Sequence, residues 1–314
     1  MGEADDLMKA GAKALTKTSF FGKSKPDYDD ALQNFEQAAN LYRTQKDYTS
    51  SVEALHQVAE CHRNLSSMFL AAKALETAAN LLSQSSNDPA RAGPVYRQAS
   101  EYFLAQGSPD RAGEMLEKAA KAYESVDAGT AIEYYTESCT LYEEEGRLRF
   151  GVDTFKRAVG FCIRSQRFEQ AVALSIRLEN GYLKIDNQPL FNRQALTNVI
   201  LQLSVGNEAM AQQRLDESMQ KNGRLCQTDE GQVAQDLLTA FQTGDAALFE
   251  GLMRSSSIRF LDNDVGKLVK ALKIDPSKAP ARGGGGNSSQ VDAPIPETME
   301  TKALQDELEE EGFL

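Results

Sequence analysis

The chain has 314 residues, 41% of them apolar, and carries 46 acidic against 34 basic side chains for a formal charge of −12. That balance argues against a nucleic-acid binder, whose electrostatic footprint is usually basic. Length alone suggests about two domains, but a repeat along the chain overrides that count, because an array buries apolar surface between neighbours rather than in one central core.

After a first amphipathic segment the chain reads Ser19-Phe20-Phe21-Gly22-Lys23-Ser24-Lys25-Pro26. Two adjacent aromatics in a loop with basic neighbours leave two readings open. In one, Phe20 or Phe21 folds back onto the first hairpin. In the other, the loop dips into a membrane, with Phe20 and Phe21 inserted shallowly and Lys23 and Lys25 drawn to anionic headgroups. Each lysine adds only about 1 kcal/mol near such a surface, so the loop alone makes a weak, reversible anchor.

From Tyr28 the residues Ala31, Leu32, Phe35, Ala38, Ala39 and Tyr42 follow a helical period and not a strand period. The pattern returns eight times, ending on Tyr42, His62, Leu82, Tyr102, Tyr123, Tyr142, Cys162 and Tyr182, nineteen to twenty-one residues apart. Eleven positions before each anchor stand Ala31, Ser51, Ala71, Arg91, Ala112, Ala131, Gly151 and Ala171, mostly small residues that let neighbouring helices approach. Three before it stand Ala39, Ala59, Ala79, Ala99, Ala120, Cys139, Val159 and Glu179. Breakers such as Lys46-Asp47, Ser66-Ser67 and Gly146-Arg147 separate the units, and Pro89 and Pro109 suit the first helical position. Turns of about four residues force antiparallel neighbours. The expected fold is all-α: a right-handed twisted sheet of antiparallel helical hairpins, a TPR-like α-solenoid with a concave face, closed by a C-terminal helical bundle. The period is not the 34 residues of a tetratricopeptide repeat, and the Trp-Leu-Gly signature is missing.

After Tyr182 the register loosens. Helices are expected from Pro189 to Gly206-Asn207, from there to Asn222-Gly223, and then over 229–243, 245–253 and 264–273. The expected organisation is an array over 1–205, a helical bundle over 206–275, and a Gly/Pro linker with an acidic tail over 276–314. Pro280, Gly283 to Gly286, Pro294 and Pro296 are linker chemistry. The tail carries Asp306, Glu307, Glu309, Glu310 and Glu311 and ends on Phe313 and Leu314. A charge run is usually a solvating tail, but apolar residues ending it also fit a docking peptide for a basic, partly apolar site.

No catalytic constellation emerges. His56 and His62 fall on opposite sides of a helix, and His62 reads as a packed residue. Gly22-Lys23-Ser24 lacks the upstream glycine of a phosphate loop, having Lys17 there. Cys61, Cys139, Cys162 and Cys226 read as buried reduced thiols of a cytosolic protein. No secretory signal or membrane-spanning run is visible, so neither enzyme nor cofactor is expected. Among the many basic residues of the middle array, Arg111, Arg147, Arg149, Lys156 and Arg157 are candidates for gripping an acidic partner. A general scaffold for peptide tails is the alternative, but no clamp of Lys, Asn and Arg recurs at fixed repeat positions.

The segments Lys25-Pro26-Asp27-Tyr28-Asp29, Ser108-Pro109-Asp110, Gly146-Arg147-Leu148-Arg149, Arg167-Phe168 and Leu261-Asp262-Asn263-Asp264 with Lys267-Leu268 agree in order and spacing with one family. From about Leu7 to Leu272 the chain resembles the soluble NSF attachment proteins (SNAPs), most of all their gamma form. The resemblance implies a non-enzymatic adaptor that lies along a syntaxin-type four-helix SNARE bundle and brings the hexameric NSF AAA ATPase to it. It implies a cytoplasmic chain, monomeric alone, associated peripherally with membranes in vesicle fusion and intracellular transport, ER–Golgi transport included. By position Phe20 and Phe21 match the family's membrane loop, and Leu314 is the counterpart of a terminal leucine that stimulates the ATPase, although the alpha form has one residue after its leucine. Where basic, bundle-gripping residues of the alpha form align, this chain has Glu114 and Val152.

Overall fold

The computed structural model describes residues 2–17, 26–86 and 88–278. Eleven helices follow one another at close intervals: α1 Glu3–Leu15, α2 Tyr28–Thr44, α3 Tyr48–Asn64, α4 Met68–Asn80, α5 Pro89–Ala105, α6 Pro109–Tyr123, α7 Ala128–Glu144, α8 Leu148–Arg164, α9 Phe168–Lys184, α10 Gln188–Ser204 and α11 Glu208–Lys221. Then come α12 Asp229–Thr243, α13 Ala246–Leu252, the single turn α14 Ser256–Arg259 and α15 Asn263–Ala271. No strand occurs among the described residues. The expected all-α, TPR-like hairpin repeat is what the chain forms.

One kind of turn produces the period. Helices α2, α3, α8 and α9 each run 17 residues, and three-residue turns carry the chain from each to the next helix, which sets the repeat near twenty. The middle turn residue is left-handed: Lys46, Ser66, Gly107, Gly146, Gln166, Asp186 and Gly206 have φ between 54° and 79°. The third turn residue sends its N–H back to the anchor carbonyl, as Asp47 does to Tyr42 at 2.9 Å, Ser67 to His62 at 2.8 Å and Arg147 to Tyr142 at 2.8 Å. This is the six-to-one bond of a Schellman motif, which satisfies an orphan carbonyl at the helix end. The same residue then starts the next helix: the side chains of Asp47 and Asn187 accept from the third amide of α3 and α10.

The repeat slips in the places where its spacing is uneven. Ser108 N–H bonds Phe103 and not Tyr102, so the buried Phe103 is the true anchor of α5 and Tyr102 stands one place off it. At the end of α4 the helix widens into a π turn over Leu81–Ser85, absorbing one more residue before Pro89 opens α5.

Successive helices are antiparallel neighbours, and alternate ones form two layers, with α6 touching α8 and α7 touching α9. Small residues make this closeness feasible. Tyr142 lies between two glycines: a Cβ on Gly113 would stand 2.4 Å from its ring, and one on Gly151 2.7 Å from its own Cβ.

The turn chemistry continues one helix beyond the last anchor, Tyr182, into α10. Asn207 N–H bonds the carbonyl of Gln202, twenty residues after Tyr182. Phe191 and Val199, both fully buried, hold the positions that small residues occupy elsewhere. Helix α10 is buried on nearly all sides from Phe191 to Leu203 because α9, α11, α12 and α15 all pack on it. The amphipathic signal vanishes there through full burial, although the turn chemistry continues.

Candidate functional site

The layer formed by α4, α6 and α8 carries a belt of charge organised by two buried glutamates. Glu76 on α4 is 5% exposed and Glu117 on α6 is 8% exposed. Each stands six residues before its anchor, at Leu82 and Tyr123. Glu76 accepts from Lys73 at 2.7 Å on its own helix, and from Arg111 at 2.9 Å and Lys118 at 2.8 Å on α6. Glu117 takes Thr154 at 2.6 Å and Arg157 at 3.0 Å from α8, with Lys121 at 2.6 Å from its own helix. Burial alone would raise the Glu76 carboxyl, but the hydrogen bonds from Lys118 and Lys73 and the charge of Arg111 outweigh it and bring the pKa to about 2. At Glu117, burial is likewise outweighed by Lys121, Thr154 and Arg157, and the carboxyl is held below its ordinary value.

These contacts place the five basic candidates. Arg111, at the start of α6, bridges Glu76 and Glu114 and lies over the Phe103 ring at 5.3 Å. Arg157 pairs with Glu117, and Lys156 with Asp262 at 3.4 Å. Together with Lys121 and Arg164 they line a shallow recess of about 410 Å³ whose acids are Glu124, Asp262 and Asp264. Arg147 and Arg149 stand apart from that recess at the opening of α8. Arg147 makes a forked pair with Asp110 at 2.6 and 3.0 Å and covers Phe150, while Arg149 reaches the carbonyl of Ile185 at 3.3 Å. Each candidate therefore already has an intramolecular partner, although Arg147 and Arg157 keep 43% and 47% of their side-chain surface open.

A third buried acid is of another kind. Glu179 on α9 is 2% exposed and accepts from Asn198 of α10, from Ser218 at 3.0 Å and from Lys221 at 3.2 Å on α11. Ser175 and Gln194 extend the network. Glutamate occupies a small-residue position here because neutral donors from two further helices converge on it.

The remaining candidates, Phe20, Phe21, Lys23 and Lys25 of the aromatic loop and Asp306, Glu307, Glu309, Glu310, Glu311 and Leu314 of the tail, lie outside the described residues. Cys61, Cys139 and Cys162 are buried as expected, and burial raises the thiols, Cys61 to about 11 and Cys162 to about 12. Cys226 departs from expectation: it is exposed, on the 3-10 turn Leu225–Gln227. His62 is buried 3.8 Å from Glu36, and burial lowers its pKa. Among the described residues, no cluster of His, Cys, Asp or Glu could hold a metal, and no helix is long and apolar enough to cross a membrane.

Residues 2–255, which span α1 to α13, match a known family model, that of the soluble NSF attachment protein, SNAP. The chain belongs to this family. It is similar to a gamma-soluble NSF attachment protein of Dictyostelium discoideum, with 27% identity over 87% of this chain and 83% of that one. A protein of the same name from Arabidopsis thaliana is 30% identical over 87% of this chain and 92% of its own length. A solved structure of kinesin light chain TPR-like repeats from Podosopora anserina covers 66% of this chain and 99% of its own at 15% identity, with a TM-score of 0.32. That last likeness is too loose to bear an argument, and the SNAP relationship rests on the first three.

Proposed function

We propose that this chain is a non-enzymatic adaptor that binds assembled SNARE bundles and recruits and stimulates the NSF ATPase for their disassembly. Membership of the SNAP family over residues 2–255 carries the reading. Force and ATP chemistry belong to the ATPase. The adaptor supplies a stiff surface along the bundle, and the cations of α6 and α8, with Arg111, Arg147, Arg149, Lys156 and Arg157 foremost, are the groups offered to acidic side chains of the bundle. Because four of the five already have an internal carboxylate and Arg149 has the carbonyl of Ile185, binding exchanges one polar partner for another. Each exchange contributes little, and affinity comes from engaging bundle, membrane and ATPase together.

In the same reading, Phe20, Phe21, Lys23 and Lys25 hold the chain peripherally at a membrane from the cytoplasmic side. Asp306, Glu307, Glu309 to Glu311 and Leu314 contact the ATPase. The adaptor is a monomer before it assembles on a syntaxin-type bundle. Pull-down with full-length chain and with a chain lacking 301–314 tests both ends at once. The truncated form is expected to retain SNAREs and lose the ATPase. A full-length chain that neither binds purified SNARE bundle nor supports its ATP-dependent disassembly would refute the reading. Phe20→Ser with Phe21→Ser is expected to reduce liposome binding and leave binding of soluble bundle intact; if both persist, the loop is structural.

A further inference from the structure

The opposite layer carries a second surface with the reverse charge. Helices α5 and α7 run in the same direction in the odd-numbered layer, and between them lies a groove of about 780 Å³. Its floor is apolar: Leu104, Leu116, Ile132 and Leu141 line it, and Leu104 keeps 39% of its surface exposed. Its walls are acidic. Glu101 rises from α5, and Glu133 and Glu144 from α7; none has an ion-pair partner among the described residues. Arg97 is the basic group of the α5 wall, and it is consumed by Glu137 across the groove at 3.2 Å. Arg167, just before α9, is the second cation of the lining, and against it and Arg97 stand four carboxylates, Glu101, Glu133, Glu137 and Glu144.

We propose that this groove docks a basic amphipathic helix of a partner protein. The shape suits a helix, because two parallel helices of 17 residues each define a trough about 25 Å long. A third helix packs into such a trough at 8–10 Å from its neighbours. An apolar floor takes a stripe of residues at i, i+3, i+4 and i+7, and three carboxylates, without ion-pair partners among the described residues and outnumbering the likewise unpaired Arg167, select Lys and Arg along the edges of that stripe. The same carboxylates repel an anionic membrane or a nucleic acid. The layer of α6 and α8 pairs its cations with its own acids, so it offers a basic helix no comparable set of free carboxylates. The assignment stands on the groove alone and does not depend on the adaptor reading.

The test uses the full chain and a fluorescein-labelled synthetic 18-residue helix with leucines at that spacing and flanking lysines and arginines. A second peptide has the same apolar stripe and flanking glutamates. Fluorescence anisotropy is expected to show at least about tenfold tighter binding of the basic peptide, as complementary charge confers specificity. Glu101→Lys with Glu133→Lys is expected to weaken it about tenfold or more, and Leu104→Ser about fivefold. Asp236→Lys with Glu250→Lys makes the same change of net charge on exposed positions of α12 and α13, and is expected to leave affinity within about twofold. Circular dichroism confirms that all variants fold. Equal loss in the two double variants would mean attraction by net charge only and would overturn the proposal, as would binding that the Glu101 and Glu133 reversals leave unchanged.

Discussion

Glu117 and Glu179 are both buried acids on helices of one array, yet they are neutralised in opposite ways. Glu117 draws on Lys121 and Arg157, whose charged ends stay half in water. Glu179 is met by Asn198 and Ser218 from the interior, with Lys221 alone reaching it from the edge. Around Glu117 the layer is open and the ion pairs form its outer surface, so its cations are accessible to a partner. Around Glu179, three helices converge and the network is a joint. A glutamate at the surface layer thus presents charge, and one at the joint fixes the way helices meet.

Four experiments can break or sharpen that contrast. The largest effect is expected from Glu179→Ala, which leaves the buried Asn198 amide without this acceptor, Ser218 with only the Arg214 carbonyl, and Lys221 without its carboxylate. It should cost about 3–5 kcal/mol, read from the urea midpoint, whereas Glu117→Ala should cost about 1–3 kcal/mol because water can reach the freed cations. Equal losses would erase the distinction.

Gly151→Ala comes next. The added methyl would meet Tyr142 at its Cβ, an atom that cannot swing away. Overpacking of this kind costs about 1–3 kcal/mol against a gain in helix propensity of about 1 kcal/mol, so a net fall in Tm is expected. A rise in Tm would show that the helices can part there without loss.

Acid should act on the surface layer through Glu76. Its folded pKa, about 2, lies below the ordinary value of 4.5, so the unfolded chain binds protons first. The stabilisation is complete above pH 4.5 and is lost as pH falls toward 2. Denaturant midpoints measured from pH 6 to pH 3 should drop by an amount equivalent to about 1–2 kcal/mol more in the wild type than in Glu76→Gln. Parallel profiles would remove Glu76 from the account.

The smallest effect belongs to Arg147→Ala. The Arg147–Asp110 pair is exposed on both sides and should contribute under about 1 kcal/mol to stability. A clear loss of SNARE-bundle binding with an unchanged Tm would mark Arg147 as a contact; a matching loss of Tm would mark it as a strut.

The sequence column announced most of the helices because the anchors are C-terminal cap positions, and caps are local chemistry. The column stops short of α10, a helix that Pro189 and Gly206-Asn207 still delimit, because a helix covered on every side has no apolar face to reveal a period. The twenty-residue spacing points to Tyr102 and the structure to Phe103, since both are aromatic and only the acceptor of the Ser108 amide separates them. The basic candidates were visible as residues, but their partners were not. Glu76 with Arg111, and Glu117 with Arg157, lie 35 and 40 residues apart, and nothing in one sequence declares that reach. A signal did exist in glutamates six places before the anchors of alternate helices, at Glu36, Glu76 and Glu117. The acidic groove was equally hidden, because its carboxylates come from two helices that are brought side by side only by the hairpin between them.

The three-residue turns also bear on how the chain comes to be folded. Each three-residue reversal is completed within six residues by a bond between a carbonyl at the helix end and the residue just before the next helix. A helix pair therefore has its geometry before any distant segment arrives, and most contacts join near neighbours. Such a chain can start folding at any hairpin and extend outward from it. During synthesis, α2 and α3 can close while α10 is still to be made. The Glu179 joint, which needs α9, α10 and α11 together, is then among the last parts of the array to close.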